Sequence, residues 1–476
     1  MEQRVEGQEQ PHIPAGMFRI RLPFVHYRFS LPDALIGLFV AFIYFIPVSL
    51  YRSLFDLPLE QAWALIHFSL WLLLLHNHFG DYAMGGWITA SLPLVMGYLG
   101  GLPEGVDRIH GLMSIHFWLA LFMLVLGITG LAKKAVEYMP QTLKAGILLG
   151  AGMAGFWTLL SPLSTASQTV QNFPIGIGVA GILTITLIWS YPLLVRRKTS
   201  TFLNRIAMFG LPLGFALGGI LGTIFGEIPA PTVRSFFVPA DWSFIRTFSV
   251  FGVGFPPASI LLGVFPLALL IYVIAYGDFV FIETMVHANN ERRPDEKVDL
   301  NSSRAHIIVG IRNVAHMIFG PHPILAGPAF TAYSAIHIIR WGQGKDQVDS
   351  IFGATGSSTL FLILGAYLGP IVFGASNMTG IALGLALLLQ GFVCAYVGMR
   401  MVKYTQQAGI ALLMGMVIAT RGAAWGLGIG VLLYFLMEFR AKKSERLEEV
   451  EPELLMEPED RHGFQTPDDA AGQDRT

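Results

Sequence analysis

Three charged side chains interrupt long apolar stretches in the second half of the chain. Asp278 and Glu283 lie in the run FPLALLIYVIAYGDFVFIET, and Arg312 lies in the run HIIVGIRNVAHMIF. A charge inside an apolar environment costs about 2.5–3.5 kcal/mol on insertion scales, so such residues are usually functional. A carboxylate there can bind a substrate or a coupling cation. Arg312 can form an ion pair with Asp278 or Glu283, or can supply positive charge to an anion.

The spacing of these acids separates their roles. On a helix, Asp278 and Glu283 point roughly 140° apart, whereas Tyr276 and Glu283 share a face. Asp278 lies nearer the middle of its apolar run. We therefore expect Asp278 to be the substrate or coupling-ion carboxylate, and Glu283 to be either a second ligand or a solvated residue near the end of the run.

Several histidines occur close to glycine-rich breaks. His76 and His78 precede Gly80-Asp81, and His322 precedes a Pro/Gly-rich segment. A metal site needs three or four convergent ligands, which two histidines and Asp81 do not supply, so we predict neither metal nor cofactor. Imidazole changes charge between pH 5 and 8, which makes His322 a candidate for handling protons. A capping role for His322 is the alternative.

The composition indicates where these residues must lie. The 476 residues are 53% hydrophobic and only 13% charged, with a net charge of −1. An ordinary soluble domain carries about 25% charged residues. This composition excludes a cytoplasmic enzyme, a disordered chain and a nucleic-acid-binding protein. It predicts an all-α polytopic membrane protein in contact with the lipid bilayer.

Fourteen apolar segments are candidate membrane spans, given that a spanning helix needs about 20 apolar residues. They divide into two sets of seven. The first set lies near residues 33–54, 61–79, 82–100, 113–132, 142–163, 174–194 and 205–226. The second lies near 256–287, 304–319, 323–340, 351–374, 376–399, 401–419 and 421–438.

The basic residues give the orientation. With the N-terminus inside, most of the 31 Lys and Arg residues fall on the inner side. The outer side receives only Arg52, Arg108, Arg234, Arg246 and Arg421. By the positive-inside rule both termini are cytoplasmic and the protein is a multi-pass protein of the cell (inner) membrane.

This topology predicts five parts. A cytoplasmic segment (1–30) is followed by a first repeat (31–226), an extracytoplasmic linker (227–255) and a second repeat (256–438). The last part is a disordered acidic cytoplasmic tail (439–476). We expect the charged loop 289–303 to be a solvated connection.

Seven spans are an odd number, so the second repeat enters the membrane from the opposite side. The third segment of each half, Gly80–Gly100 and Gly320–Ile336, is broken by glycine or proline and is predicted to be a half-helix. Helix N-termini that begin inside the membrane point free N–H groups at a polar or anionic solute. The alternative is a pair of kinked spans packed through glycine. The candidate substrate contacts are Gly85, Gly86, Thr89, His322, Ala326, Gly327 and Thr331, with Tyr276, Asp278 and Glu283.

The stretch LNSSRAHIIVGIRNVAHMIFG, followed by PHPILAGPAF, resembles the ninth and tenth spans of sulfate permeases and of nucleobase–cation symporters. Asn313 and Phe319-Gly320 fit that pattern, and DALIGLFVAFIYFIPVSL resembles the first span of sulfate permeases. The resemblance implies a seven-plus-seven fold, a homodimer, and an elevator-like motion of spans 1–4 and 8–11 against spans 5–7 and 12–14. The tenth segment departs from both families, because it has neither the acid of one nor the Arg of the other. The C-terminal regulatory domain of many sulfate permeases is also not expected here.

These observations favour a secondary active transporter, a permease rather than an enzyme. The solute would be nucleobase-like, sulfate-like or a small organic anion, and transport would be coupled to H⁺ or Na⁺, with Asp278, Glu283, Arg312 and His322 in coupling or charge pairing. The alternatives are a passive anion channel on the same fold and a membrane enzyme that uses His76, His78 and Asp81.

Overall fold

Helices make up nearly all of the regular structure, as the computed structural model shows. It describes residues 4–83, 85–132, 134, 139–161, 167–197, 200–208 and 210–439. The predicted acidic tail, apart from residue 439, lies outside the described residues. The prediction of an all-α protein is confirmed.

The first half of the chain contains eleven of the described helices. They are α1 (Leu31–Val40), α2 (Ile46–Phe55), α3 (Leu59–His78), α4 (Leu92–Gly100), α5 (Val106–Thr129), α6 (Gln141–Leu160), α7 (Ser167–Asn172), α8 (Pro174–Trp189), α9 (Tyr191–Arg197), α10 (Thr201–Met208) and α11 (Gly210–Ile224).

The second half contains the remaining described helices. They are α12 (Val250–Val253), α13 (Ala258–Gly263), α14 (Phe265–Asn290), α15 (Ser302–Phe319), α16 (Thr331–Trp341), α17 (Ile351–Gly365), α18 (Gly369–Ser376), α19 (Thr379–Met401), α20 (Thr405–Arg421) and α21 (Ala423–Met437). Side chains cap some of these helices: Asn301 accepts the Arg304 N–H at 2.9 Å before α15, and Ser350 accepts the Phe352 N–H at 3.2 Å before α17.

Four of the described helices are long and apolar enough to cross a bilayer, namely α5, α6, α14 and α19. Several predicted spans are instead divided in two. The first span breaks between α1 and α2, where Pro47 lies in the first turn of α2. The eleventh breaks at Leu368, ahead of Pro370 in α18. Proline has no N–H to continue a helix. The count of fourteen spans therefore stays a prediction.

The helices pack into two groups. In the first group, which we call the core bundle (α1–α5 and α13–α18), the most extensive contacts join α5 to α15 and α1 to α17. In the second, the gate bundle (α6–α11 and α19–α21), α6 packs on α19 and α20, and α8 packs on α11. Fewer contacts cross between the groups, chiefly α4 with α6 and α2 with α19.

The described residues form three short two-stranded sheets, two of which join distant parts of the chain. The antiparallel strands β2 (Ile13–Ala15) and β3 (Phe18–Ile20) form a hairpin in the N-terminal segment. Strand β1 (Gln8–Glu9) pairs in parallel with β5 (Glu296–Lys297). The third sheet pairs β4 (Gly86–Trp87) with β6 (Ala326–Gly327).

The loop 289–303 is not the solvated connection that its charge predicts. Glu296 is only 2% exposed, and its carboxylate accepts hydrogen bonds from Trp341 Nε1 at 2.7 Å and Ser350 Oγ at 2.6 Å. Arg4 lies 3.4 Å from the same carboxylate. The prediction was wrong because these distant partners satisfy the charges, which allows them to be buried.

The linker 227–255 contacts both bundles. Its first residue, Glu227, accepts the N–H groups of Ile175 at 2.6 Å and Gly176 at 2.8 Å, and so caps α8. Farther along, the Val238 N–H donates to the Tyr367 carbonyl at 2.9 Å, next to α18. The linker is therefore attached to both bundles by hydrogen bonds.

Candidate functional site

The two broken segments meet at a crossed pair of strands. After α3 the chain is extended at β4, turns through a 3₁₀ helix (Thr89–Ser91) and continues as α4. After α15 it is extended at β6 and continues as α16. The strands are antiparallel, with Gly86 opposite Gly327, so the chain passes through the crossing in opposite directions on its way to α4 and to α16.

Glycine is required where these strands pass the neighbouring chain. A Cβ at Gly86 would collide with the backbone at Ala329 and Phe330. A Cβ at Gly327 would lie 2.8 Å from Ile88 Cγ1, closer than real Cβ atoms approach. The ring of His76 occupies the corresponding space at Gly85. Two predicted site glycines, Gly86 and Gly327, thus allow the close approach of the two segments, and Gly85 leaves room for His76.

Arg312 ties the crossing together. It is fully buried, and it donates hydrogen bonds to the Gly327 carbonyl at 2.7 Å and the Gly86 carbonyl at 2.9 Å. Its third bond, at 3.0 Å, goes to Nε2 of His76. In place of the expected ion pair with either acid of α14, the guanidinium is held by two backbone carbonyls and an imidazole.

The charge of Arg312 is balanced through His76. Because Nε2 of His76 accepts from Arg312, its hydrogen is on Nδ1, which donates to Asp81 Oδ2 at 2.7 Å. A neutral imidazole therefore links a buried cation to a buried carboxylate. His78 is not part of this chain of bonds, since its Nδ1 bonds to the Leu74 carbonyl at 2.7 Å.

A second network positions the β6 strand. The Asn313 amide donates to the Ala326 carbonyl at 3.0 Å, and its oxygen accepts from His116 Nδ1 at 2.8 Å. The other His116 nitrogen then accepts the His322 N–H at 3.0 Å. His322 is fully buried, with its ring 4.6 Å from that of Trp87. His322 is thus part of the hydrogen-bonded network that positions the site.

Asp278 is brought close to the crossing. It lines a cavity of about 10 Å³ with Asp81, Tyr82, Pro328 and Ala329, among other residues. A cavity of this size holds about one water molecule, so the site is closed to larger solutes in this conformation. Both acids border this small space, which suits a cation or a polar N–H group, and Asp81 also accepts hydrogen bonds from His76 and from the Ala83 N–H.

The other predicted residues of α14 do not line this cavity. Tyr276 is buried, with its ring 6.4 Å from Phe279 and 6.2 Å from His306. Glu283 is half-buried and lies outside the lining. A larger cavity of about 420 Å³ lies elsewhere, between Phe42 and Phe215, and no charged residue lines it.

Both half-helices begin without a side-chain cap. Neither Ser91, before α4, nor Phe330, before α16, makes a side-chain capping bond. Thr89 is half-buried in the turn that leads into α4, and Thr331 is the first residue of α16. At the start of α4 the Leu92 N–H donates to the Thr89 carbonyl and Pro93 has no N–H, so that end contributes mainly its helix dipole. The first-turn N–H groups of α16, with the dipoles of both helices, favour a negative charge.

Sequence reasoning did not identify Asp33, His116 and His337, which are fully buried polar residues of the core bundle. The signal for Asp33 was present, because it is a lone acid within the apolar run LPDALIGLFV. Among the described residues, no group of three or more His, Cys, Asp or Glu side chains is placed to hold a metal ion.

The fold and the site define the class as a polytopic membrane protein built around a crossed pair of broken helices. The transmembrane domain of a cyanobacterium bicarbonate transporter, BicA, has the same fold, with a TM-score of 0.52 and 16% identity. The match covers 84% of this chain and 97% of that domain. At this identity the likeness shows a shared fold.

Two further structures are similar over much of the chain. Murine Slc26a9, an anion transporter in the inward-facing state, is 15% identical with a TM-score of 0.47, covering 86% of this chain and 69% of its own. A structure of SLC26A9 is 17% identical, also with a TM-score of 0.47, and the match covers 87% of this chain and 67% of that one. No model of a protein family matches the sequence, and no curated protein matches it.

Proposed function

We propose that this protein is a secondary transporter that moves a small anion, such as bicarbonate or sulfate, across a membrane by alternating access. The observation that carries the proposal is the pair of uncapped half-helices, α4 and α16, which begin beside a crossing that Arg312 holds. The shared fold with a bicarbonate transporter supports the same solute class.

In this proposal the anion binds to the helix starts and not to Arg312. The NH1 and NH2 groups of Arg312 are already bonded to carbonyls and to His76, so the guanidinium contributes its field and not a direct contact. Each helix start contributes about half a positive charge. Both sources are fixed before the solute arrives, which lowers the cost of binding.

Asp278 is assigned to the coupling cation or to an N–H group of the solute. It faces the Pro328–Ala329 segment that leads into α16, across the small cavity. A coupling Na⁺ or H⁺ there would compensate the acid while the anion is bound. A nucleobase-like solute would use the same carboxylate as a hydrogen-bond acceptor, so this alternative stays open with a small organic anion.

Transport would follow from movement of the core bundle against the gate bundle. The candidate site lies wholly in core elements, whereas the 3₁₀ turn at Thr89–Ser91 packs on the gate helices α6 and α19. We extend the proposal to a homodimer with both termini cytoplasmic, in which the core carries the site past a fixed gate.

The test is uptake into liposomes that contain the purified protein. We expect uptake of [³⁵S]sulfate or [¹⁴C]bicarbonate above that of empty liposomes, and the loss of ion-coupled uptake in Asp278→Asn at normal expression. Asp107→Asn, at the first turn of α5, is the matched control and should transport normally. Uptake of labelled uracil alone would favour the nucleobase alternative. Currents that reverse at the anion's Nernst potential would favour a channel, and absence of both anion uptake and currents would refute the proposal.

A further inference from the structure

A buried ion cluster outside the candidate site is attached to the half-helix α16. It consists of Asp33 from α1 with His337 and Arg340 from α16. Asp33 and His337 are both 0% exposed, and the Arg340 side chain is 19% exposed. Neither the crossing nor its hydrogen-bond networks use these residues.

The hydrogen bonds define the protonation state of this cluster. Asp33 Oδ1 accepts from His337 Nδ1 at 2.7 Å and from Arg340 Nε at 3.1 Å. The hydroxyl of Ser30 donates to the other oxygen. Three donors around one carboxylate indicate that Asp33 is ionised, so the hydrogen of His337 is on Nδ1. The other ring nitrogen, Nε2, is buried and has no hydrogen-bond partner among the described residues.

The surroundings of His337 contain few other charges. On its own helix, the Tyr333 hydroxyl is hydrogen-bonded to Ser358. In α1 the only titratable residue is Asp33, and α17 contains none. The helix α14 contributes Ile282 and Val286 to the apolar cluster that contains Ile338 and Trp341. The same helix also contains the acids Asp278 and Glu283. Substitution of each acid tests whether it contributes to the pH response.

We propose that Nε2 of His337 is a proton-binding site and that H⁺ is a coupling ion of the transporter, an inference that rests on the proposed function. The proton adds to the Nε2 lone pair, and no covalent bond breaks. The cluster then changes from a net charge of zero to +1. Asp33 stabilises the imidazolium at Nδ1, while Arg340 opposes it.

The position of His337 on α16 couples this charge to the anion site. Six residues separate His337 from Thr331, which at 1.5 Å per residue is about 9 Å along the helix. Two opposite unit charges at about 9 Å, with an effective dielectric constant near 20, attract each other enough to change affinity by about twentyfold. Because linkage is reciprocal, anion binding tightens proton binding by the same factor.

The experiment compares wild type with His337→Gln, which keeps a donor but cannot become charged. In liposomes at subsaturating [³⁵S]sulfate, we expect wild-type uptake to rise about tenfold between pH 8 and pH 5.5, with acidification of an entrapped pH dye. His337→Gln should lose both responses. His67→Gln is the matched control, a buried histidine of α3 that stacks on Tyr367, and it should keep them.

The outcomes separate the inference from the proposed function. Sulfate uptake in His337→Gln with the wild-type pH response would overturn the inference and leave anion transport intact. The inference would also be overturned if Asp278→Asn or Glu283→Gln abolished the pH response of sulfate uptake while His337→Gln kept it. Absence of anion uptake by wild type would instead count against the proposed function.

A second measurement does not depend on transport. Potentiometric titration of the purified protein between pH 5 and pH 8 should show one more bound proton in wild type than in His337→Gln, and Asp33→Asn should reduce that difference. The unfolding temperature of each variant shows whether it is folded. Identical proton binding by folded wild type and folded His337→Gln would overturn the inference without reference to any solute.

Discussion

Arg312 illustrates how one buried side chain can serve several acceptors. Its planar guanidinium presents five N–H groups in a fixed fork, and the structure uses three of them, on two carbonyls and His76. A lysine ammonium is compact and cannot reach carbonyls on two strands and an imidazole at once. The identity of the residue therefore matters beyond its charge.

We expect Arg312→Lys to keep the positive charge but to leave at least one buried acceptor unsatisfied. The predicted cost is about 1–3 kcal/mol of unfolding free energy, with loss of most anion uptake. Thermal unfolding in detergent and liposome uptake measure these two effects.

Arg52→Lys is the control, since Arg52 is exposed in the last turn of α2, and this change should have little effect. Normal uptake by Arg312→Lys would remove the guanidinium from the proposed site.

At the scale of the residue, sequence predicted the presence of charges but not their partners. Arg312 stood out because it lies in an apolar run, yet its partner His76 is 236 positions away. The pattern of one segment contains no information on such a long-range pair. The position of Asp278 near the middle of its apolar run predicted a role at the site. In the structure Asp278 and Pro328 line the same small cavity.

At the scale of the element, the strand crossing depends on two small residues. Gly86→Ala places a methyl group against the Ala329–Phe330 backbone, which cannot move without separating the strands. We expect a loss of about 1–3 kcal/mol of stability, as for other overpacked sites, with loss of uptake. Unfolding temperature and uptake test this.

Gly97→Ala is the matched control for Gly86→Ala. Nothing lies within 4 Å of a Cβ at Gly97, which is inside the helix α4. Alanine is the better helix former, so the control should be neutral or stabilising by up to about 1 kcal/mol. Equal behaviour of the two variants would contradict the close approach of the strands.

The N-terminal segment is an element that sequence did not predict to fold. Its polar residues have no helical or strand periodicity, and its contacts with the rest of the molecule depend on Asp295 and Glu296, which are far away in sequence. Asp295 accepts from Arg293 at 2.8 Å and from Arg4 at 2.7 Å. The broken segments, in contrast, were predictable because glycine and proline mark them locally.

The Asp295 contacts predict a pH dependence of stability. The hydrogen bonds from Arg293, with the nearby charges of Arg293 and Arg4, hold the pKa of Asp295 below its ordinary value of 3.8. A lowered pKa in the folded state adds stability above pH 3.8, and this stability is lost as pH falls through the folded-state pKa. The unfolding temperature of wild type should therefore fall at acidic pH. That of Asp295→Asn should already be lower than the wild-type value at pH 7.

Glu104→Gln is the control for Asp295→Asn, because the Glu104 side chain is 85% exposed. Its unfolding temperature should follow that of wild type at every pH. If the curves of Asp295→Asn and wild type were parallel down to pH 3, the Asp295 contacts would not contribute to the acid sensitivity.

At the scale of the whole molecule, composition determined the class and the helical content, whereas bundle membership came only from the coordinates. Each bundle combines helices of both halves of the chain, since α5 packs on α15 and α6 packs on α19. No local pattern specifies such pairings between halves. Resemblance in two short patches nevertheless predicted the same grouping, which the contacts support.

The last prediction concerns motion between the bundles. Spin labels at Ile128 of α5 and Leu412 of α20, both exposed, report a core-to-gate distance, whereas labels at Ile128 and Ile311 of α15 report a distance within the core. In a Cys394→Ser background, pulsed electron spin resonance should show the first distance distribution shifting when sulfate is added. The second should stay unchanged, because closely packed helices move as a unit. Shifts of equal size in both distances would exclude rigid-body movement of the core. If neither distance shifted, the closed site would have no observed opening to either side of the membrane, which would contradict alternating access.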